Sequence, residues 1–174
     1  MTITSKTPGM APRPVLIFAY GNRSRGDDAL APLLVEQLQQ QGIITACGHP
    51  LTWLTDYQMQ IEHALDLQPC ERVLLVDADV ALDDAFRFYP VQPRQDTDYT
   101  THGMTPATLL YTYGQVFNQP PPATAMLAIR GVRFELGEGL SALAQGHLQQ
   151  ALDFMLPVIS ASDFSLWDQA LRPR

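Results

Sequence analysis

Val15-Leu16-Ile17-Phe18-Ala19-Tyr20 runs directly into Gly21-Asn22-Arg23-Ser24-Arg25-Gly26-Asp27-Asp28, and then into Ala29-Leu30-Ala31-Pro32-Leu33-Leu34-Val35. The first six residues are apolar or aromatic without alternation, which is the pattern of a strand buried on both faces rather than one. Gly21-Asn22 is a turn signal. Beyond the acidic pair, Leu30, Leu33, Leu34 and Leu38 recur at helical spacing, and Gly42 stands where a helix C-terminus favours glycine. The stretch therefore reads as a central strand, a tight loop and a helix, the opening unit of an α/β fold.

The rest of the chain repeats that alternation. Leu51-Thr52-Trp53-Leu54 reads as a short strand, followed by a helix from about Met59 to Leu67 that Pro69 closes. Val73-Leu74-Leu75-Val76 is a second all-apolar strand, ending at Asp77. Phe86 to Val91 alternates, as an edge or antiparallel strand does, and a polar loop from Gln92 to Thr101 leads to His102. Thr105-Pro106 is a cap followed by a first-turn proline for a helix through Phe117, stopped by Pro120-Pro121-Pro122. Ala125 to Ile129 reads as a further buried strand. Leu148, Ala151, Leu152, Met155, Leu156 and Ile159 form a helical stripe, and a short tail helix carries Phe164, Trp167 and Leu171. The expectation is a three-layer α/β/α sandwich with a mostly parallel mixed sheet, a single domain over 15–174 behind a disordered tail over 1–14.

Composition narrows the function. The 174 residues are 46% hydrophobic and 17% charged, with a net charge of −7 and basic residues scattered along the chain. That balance lacks the basic footprint of a nucleic-acid binder and disfavours anionic lipid surfaces. Two cysteines, Cys47 and Cys70, form neither a C-x-x-C pair nor a disulfide framework. No signal peptide opens the sequence and no apolar run is long enough to span a bilayer. A cytoplasmic monomer is expected.

In doubly wound folds sites form beyond the carboxyl ends of the strands, where Asp27-Asp28 and Asp77-Ala78-Asp79 fall. Capping explains one aspartate at a helix start, leaving the second free to face a crevice. Asp27 is then the cap or loop anchor, and Asn in its place should cost little. Asp77 ends a buried strand, where a carboxylate is costly unless paired, exposed in a crevice or bound to a metal. Asp79 should leave the strand register in the following turn. His102 opens the loop before a helix, whereas His49, His63 and His147 have ordinary structural readings. Asp28, Asp77 and His102 together supply two oxygens and an imidazole, a set that suits Zn²⁺ or Ni²⁺ with positions left open. The glycines match neither G-x-G-x-x-G nor a phosphate loop. Neither G-x-S-x-G nor an activated cysteine is present.

Three segments, taken in order, resemble the hydrogenase maturation proteases. They are Gly21-Asn22-x-x-x-Gly26-Asp27-Asp28, Val73-Leu74-Leu75-Val76-Asp77-Ala78 and Thr101-His102-Gly103-Met104, with Gly137-Glu138-Gly139-Leu140-Ser141 as a further likeness. The resemblance implies that Asp28, Asp77 and His102 bind metal and serve catalysis. It implies an endopeptidase that removes the C-terminal extension of a nickel–iron hydrogenase large-subunit precursor after nickel insertion. The nickel would be carried by the precursor, with another divalent ion such as zinc taking the site in its absence. A non-catalytic nickel-binding assembly chaperone would use the same residues. Two departures stand out: Ala19 occupies the first glycine of the usual Gly-x-Gly-Asn, and Ala128-Ile129-Arg130-Gly131 replaces a common Gly-Ile-Gln-Pro.

Overall fold

The computed structural model describes residues 10–95 and 104–173. Six strands, β1 (Val15–Tyr20), β2 (Thr45–Ala46), β3 (His49–Asp56), β4 (Arg72–Asp79), β5 (Phe86–Val91) and β6 (Ala123–Arg130), form one sheet in the order β2-β3-β1-β4-β6-β5. β3, β1, β4 and β6 run parallel, while β2 and β5 add antiparallel edges. The helices are α1 (Leu30–Gln40), α2 (Ala64–Leu67), α3 (Pro106–Phe117), α4 (Ala142–Ser160) and α5 (Ser165–Ala170).

The period-two geometry of a strand sorts each buried run into two faces. Val15, Ile17 and Ala19 join Leu74, Val76, Leu127 and Ile129 against α1 and α4. Leu16, Phe18 and Tyr20 join Val73, Leu75 and Met126 against α2 and α3. β1 is buried at every position, as its unbroken apolar run requires. The three-layer α/β/α reading therefore holds, with four parallel strands and a mixed edge on each side.

Local chemistry explains the boundaries. Thr105 caps α3 by accepting the Thr108 N–H at 3.2 Å, with Pro106 in the first turn. The helix expected from Met59 to Leu67 is shorter: a 3-10 turn over Ile61–His63 precedes the four residues of α2. The strand expected over Leu51–Leu54 extends to His49–Asp56. Edge strand β5 carries a device against pairing with other chains. Arg130 N–H donates to Ala85 O at 2.9 Å, so by the antiparallel register Phe86, Phe88 and Pro90 turn their backbone groups outward. Pro90 has no N–H to offer there.

At the start of the described chain Arg13 donates to the carbonyls of Gln68, Pro69 and Cys70. No helix among the described residues is long and apolar enough to cross a membrane.

Candidate active site

The loop after β1 is pinned from two sides. On one side Gly21 N–H donates to Asp56 O at 3.0 Å, and Asn22 N–H to Asp28 Oδ2 at 2.9 Å. Gly21 is required by proximity, because a Cβ there would lie 2.1 Å from Asp28 O. On the other side the loop is zipped to residues 133–138: Gly26 N–H donates to Glu138 O, Gly137 N–H to Ser24 O, and Asp27 N–H to Arg133 O. Gly26 has φ +55, and a Cβ on it would come within 2.5 Å of Arg133 O.

Asp27 is the rivet of that contact. Its side chain is fully buried. Oδ1 accepts Ser141 N–H at 2.7 Å, and Oδ2 accepts Val132 N–H, Arg133 N–H and the Ser141 hydroxyl at 2.8 to 2.9 Å. Ser141 in turn caps α4 by accepting Ala144 N–H. Burial pushes the Asp27 carboxyl up, but the three N–H donors and the hydroxyl outweigh it and hold the acid below its ordinary range. Asp27 is thus the loop anchor, and helix capping is corrected for both aspartates. The 3-10 turn over Gly26–Ala29 has Arg25 at its N-cap position with no side-chain cap bond.

Asp28 and Asp77 lie within electrostatic reach of each other. Asp77 follows Val73 and Leu75 on the α2/α3 face of β4, half-enclosed at the carboxyl end. Burial first, then the charges of Asp28 and Asp79, push its acid up to about 7 against the opposing Ala78 N–H bond. The strand does not break after Asp77; β4 continues through Asp79, in register with Arg130. Asp79 therefore stays on the Asp77 face, contrary to the expectation of a broken register. Each central carboxylate keeps one oxygen without an N–H partner among the described residues: Asp28 uses Oδ2 on Asn22, and Asp77 uses Oδ1 on Ala78 at 2.8 Å. Paired acids with a free oxygen each fit a divalent cation. Among the described residues no trio of His, Cys, Asp or Glu completes a metal site. His102 lies outside the described residues.

Two further groups join the row without having been singled out. Asp56 ends β3 as Asp77 nears the end of β4, and in register it sits beside Tyr20. His63, buried, accepts Gln60 N–H at Nδ1 (2.8 Å), so Nε2 carries the proton and donates to Asp56 Oδ2 at 3.2 Å. Its ring packs on Phe18 at 4.5 Å. The signal for Asp56 was available as an apolar strand ending in Asp. A groove of about 240 Å³ beside it is lined by Gly21, Arg23, Pro32, Thr55, Asp56 and Tyr57. A larger cavity, about 440 Å³, opens at the amino end of the strands between Arg72, Pro121 and Trp167. That position is remote from these carboxylates, whereas the smaller groove lies at their end of the sheet and is lined by one of them, Asp56.

The remaining histidines are structural: His49 Nδ1 bonds Arg13 O, and buried His147 Nδ1 bonds Arg130 O, each at 2.8 Å. Cys47 and Cys70 are buried, and burial pushes both thiols up to about 11, which leaves neither as a thiolate nucleophile.

No protein-family model and no curated protein sequence matches the chain. Solved structures do. The hydrogenase maturating endopeptidase HybD from E. coli superposes with a TM-score of 0.62 at 18% identity, over 83% of this chain and 91% of that one. The [NiFe] hydrogenase maturation protease HycI from Thermococcus kodakarensis gives 0.61 at 18% identity, over 82% and 90%. A hydrogenase 3 maturation protease gives 0.56 at 18% identity, over 89% and 98%. The chain has the fold of these proteins.

Proposed function

We propose that the chain is an endopeptidase of the hydrogenase maturation type, removing the C-terminal extension from a nickel-loaded nickel–iron hydrogenase large-subunit precursor. One observation carries the reading. Asp28 and Asp77, distant in sequence, lie within electrostatic reach of each other at the carboxyl end of the sheet, each with one oxygen that no described residue bonds. Their placement on a fold shared with hydrogenase maturation proteases supports it.

The chemistry follows from cost. Burial disfavours the Asp77 charge, and repulsion from Asp28 and then Asp79 adds to it, so Asp77 holds its proton up to about pH 7. A divalent cation entering between Asp28 and Asp77 removes their repulsion. Asp28, Asp77 and, by the proposed assignment, His102 would hold the nickel that the precursor already carries, so that cutting becomes conditional on metal loading. Held there, the ion would polarise a nearby peptide carbonyl as a Lewis acid. The loop over 21–28 presents Asp28, β4 presents Asp77, and the groove beside Asp56 offers room for the polypeptide on one side. Buried, protonated Cys47 and Cys70 take no part.

The test incubates the protein with nickel-loaded and nickel-free precursor and weighs the products. Loss of a C-terminal peptide from the nickel-loaded form alone is expected. Binding of the loaded precursor without any loss of mass would instead identify a nickel-binding assembly chaperone and overturn the endopeptidase reading.

A further inference from the structure

Across the carboxyl end of the sheet, on the α2/α3 face, the side chains follow the order Asp56, Tyr20, Asp77. Asp56 is the register partner of Tyr20, and Tyr20 lies one step beyond the Ala19–Val76 pair and so beside Asp77. Between two carboxylates stands a phenol.

Its ring is fixed. Tyr20 is 8% exposed, packed against Phe18 with centroids 5.4 Å apart. Its hydroxyl makes no hydrogen bond with the described residues, although carboxylates flank it on both neighbouring strands. The ring is buried between the two flanking carboxylates of the neighbouring strands, and no described residue accepts its hydroxyl hydrogen. A phenol ionises only near pH ~10, so at neutral pH the hydrogen stays on. Tyr89, which also feels Asp77 and Asp79, is 38% exposed on the edge strand and lacks such fixation.

A neutral, immobile O–H amid carboxylates suits a neutral acceptor that becomes negative during reaction. Resting on the endopeptidase reading, we infer that Tyr20 is a catalytic residue whose hydroxyl donates a hydrogen bond to the carbonyl oxygen of the scissile peptide. Water adds to the carbonyl carbon, one of its protons passing to a carboxylate of the crevice. The carbonyl oxygen takes up the negative charge and shortens its bond to Tyr20. The C–N bond then breaks as the proton is delivered to the leaving nitrogen. A donor aimed at the developing charge counts more in the transition state than in the ground state.

Tyr20→Phe removes the hydroxyl and keeps the buried ring. With nickel-loaded precursor as substrate, kcat should fall by about 10²-fold, the typical effect of removing one such donor. KM should stay within about threefold, because the bond matters mainly in the transition state. A thermal melt close to that of the wild type establishes that packing survives. Equal kcat for Tyr20→Phe and an active wild type would overturn this inference alone. A raised KM at unchanged kcat would do the same, assigning the hydroxyl to binding. Failure of the wild type to cleave would overturn the endopeptidase reading and this inference with it.

Discussion

Asp27→Asn exchanges one buried oxygen for an amide NH₂, and every neighbour of that carboxylate is a donor. Oδ1 accepts Ser141 N–H, while Oδ2 accepts Val132 N–H, Arg133 N–H and the Ser141 hydroxyl. The less harmful orientation keeps the amide oxygen at the three-bond position and turns NH₂ against Ser141 N–H. One charge-assisted bond is then lost, a buried N–H is left unsatisfied, and the other three bonds lose their ionic component. Together these cost about 2–4 kcal/mol, given roughly 1.5–3 kcal/mol for a bond to a charged group. For a chain of this size that corresponds to a melting temperature lower by roughly 6–12 °C. The pH dependence carries a sign. The folded-state acid is depressed below the ordinary aspartate value of about 3.9, so its stabilisation is fully present above that pH and is lost as pH falls through the lower folded value. The gap between wild type and Asp27→Asn should therefore narrow under strong acid. Thermal melts of both proteins from neutral pH down to about pH 3 measure it. A neutral-pH melt of Asp27→Asn within about 2 °C of wild type would refute the four-bond anchor.

Asp77→Asn should have the opposite effect. A carboxyl raised to about 7 binds its proton more tightly when folded, so stability falls as pH rises from its ordinary range through about 7. In the presence of a chelator the variant should gain about 1–2 kcal/mol over wild type at pH 8 and little at pH 4, while losing processing; denaturant melts across that range would show it. Gly21→Ala drives a methyl group to 2.1 Å from Asp28 O, so it should displace the Asp28 loop and abolish processing at a cost of about 1–3 kcal/mol. Replacing Cys47 and Cys70 by Ser should lower stability slightly and leave processing intact, because both thiols are buried and protonated; an intact-mass assay on the folded double variant checks it.

The fold was legible because β1, β4 and β6 each contain an unbroken apolar run, with helical stripes following the first and the last, a pattern with few compact solutions. The site was legible in part for the same reason, since strand ends in such a sheet share one edge and Asp28 and Asp77 both fall there. Of the two roles read for Asp27, loop anchor held and helix cap did not, because local rules assign adjacent aspartates at a helix start to capping. Its real partners, Val132, Arg133 and Ser141, lie more than 100 residues away, and no local pattern reports them. Asp79 was misjudged because the strand persists beyond the first acidic residue, stabilised by pairing with Arg130 that only the sheet order discloses. His63 has nothing in its own sequence to mark it; its partnership with Asp56 exists because β3 and the 3-10 turn end side by side. Tyr20 read as one more apolar position of a buried strand, and only the register beside Asp77 gives its hydroxyl a meaning.

The central claim concerns Asp28, which presents one oxygen to Asn22 N–H and, on the proposed reading, the other to the nickel of the precursor. Asp28→Asn preserves an oxygen for Asn22 and removes the charge that draws a cation. The direct measurement is the intact mass of nickel-loaded and nickel-free precursor after incubation with wild type and with the folded Asp28→Asn variant. Wild type should release a C-terminal peptide from the nickel-loaded form only, and Asp28→Asn should release none from either. Cleavage by Asp28→Asn at the wild-type rate, or equal cleavage of the nickel-free precursor by wild type, would contradict it.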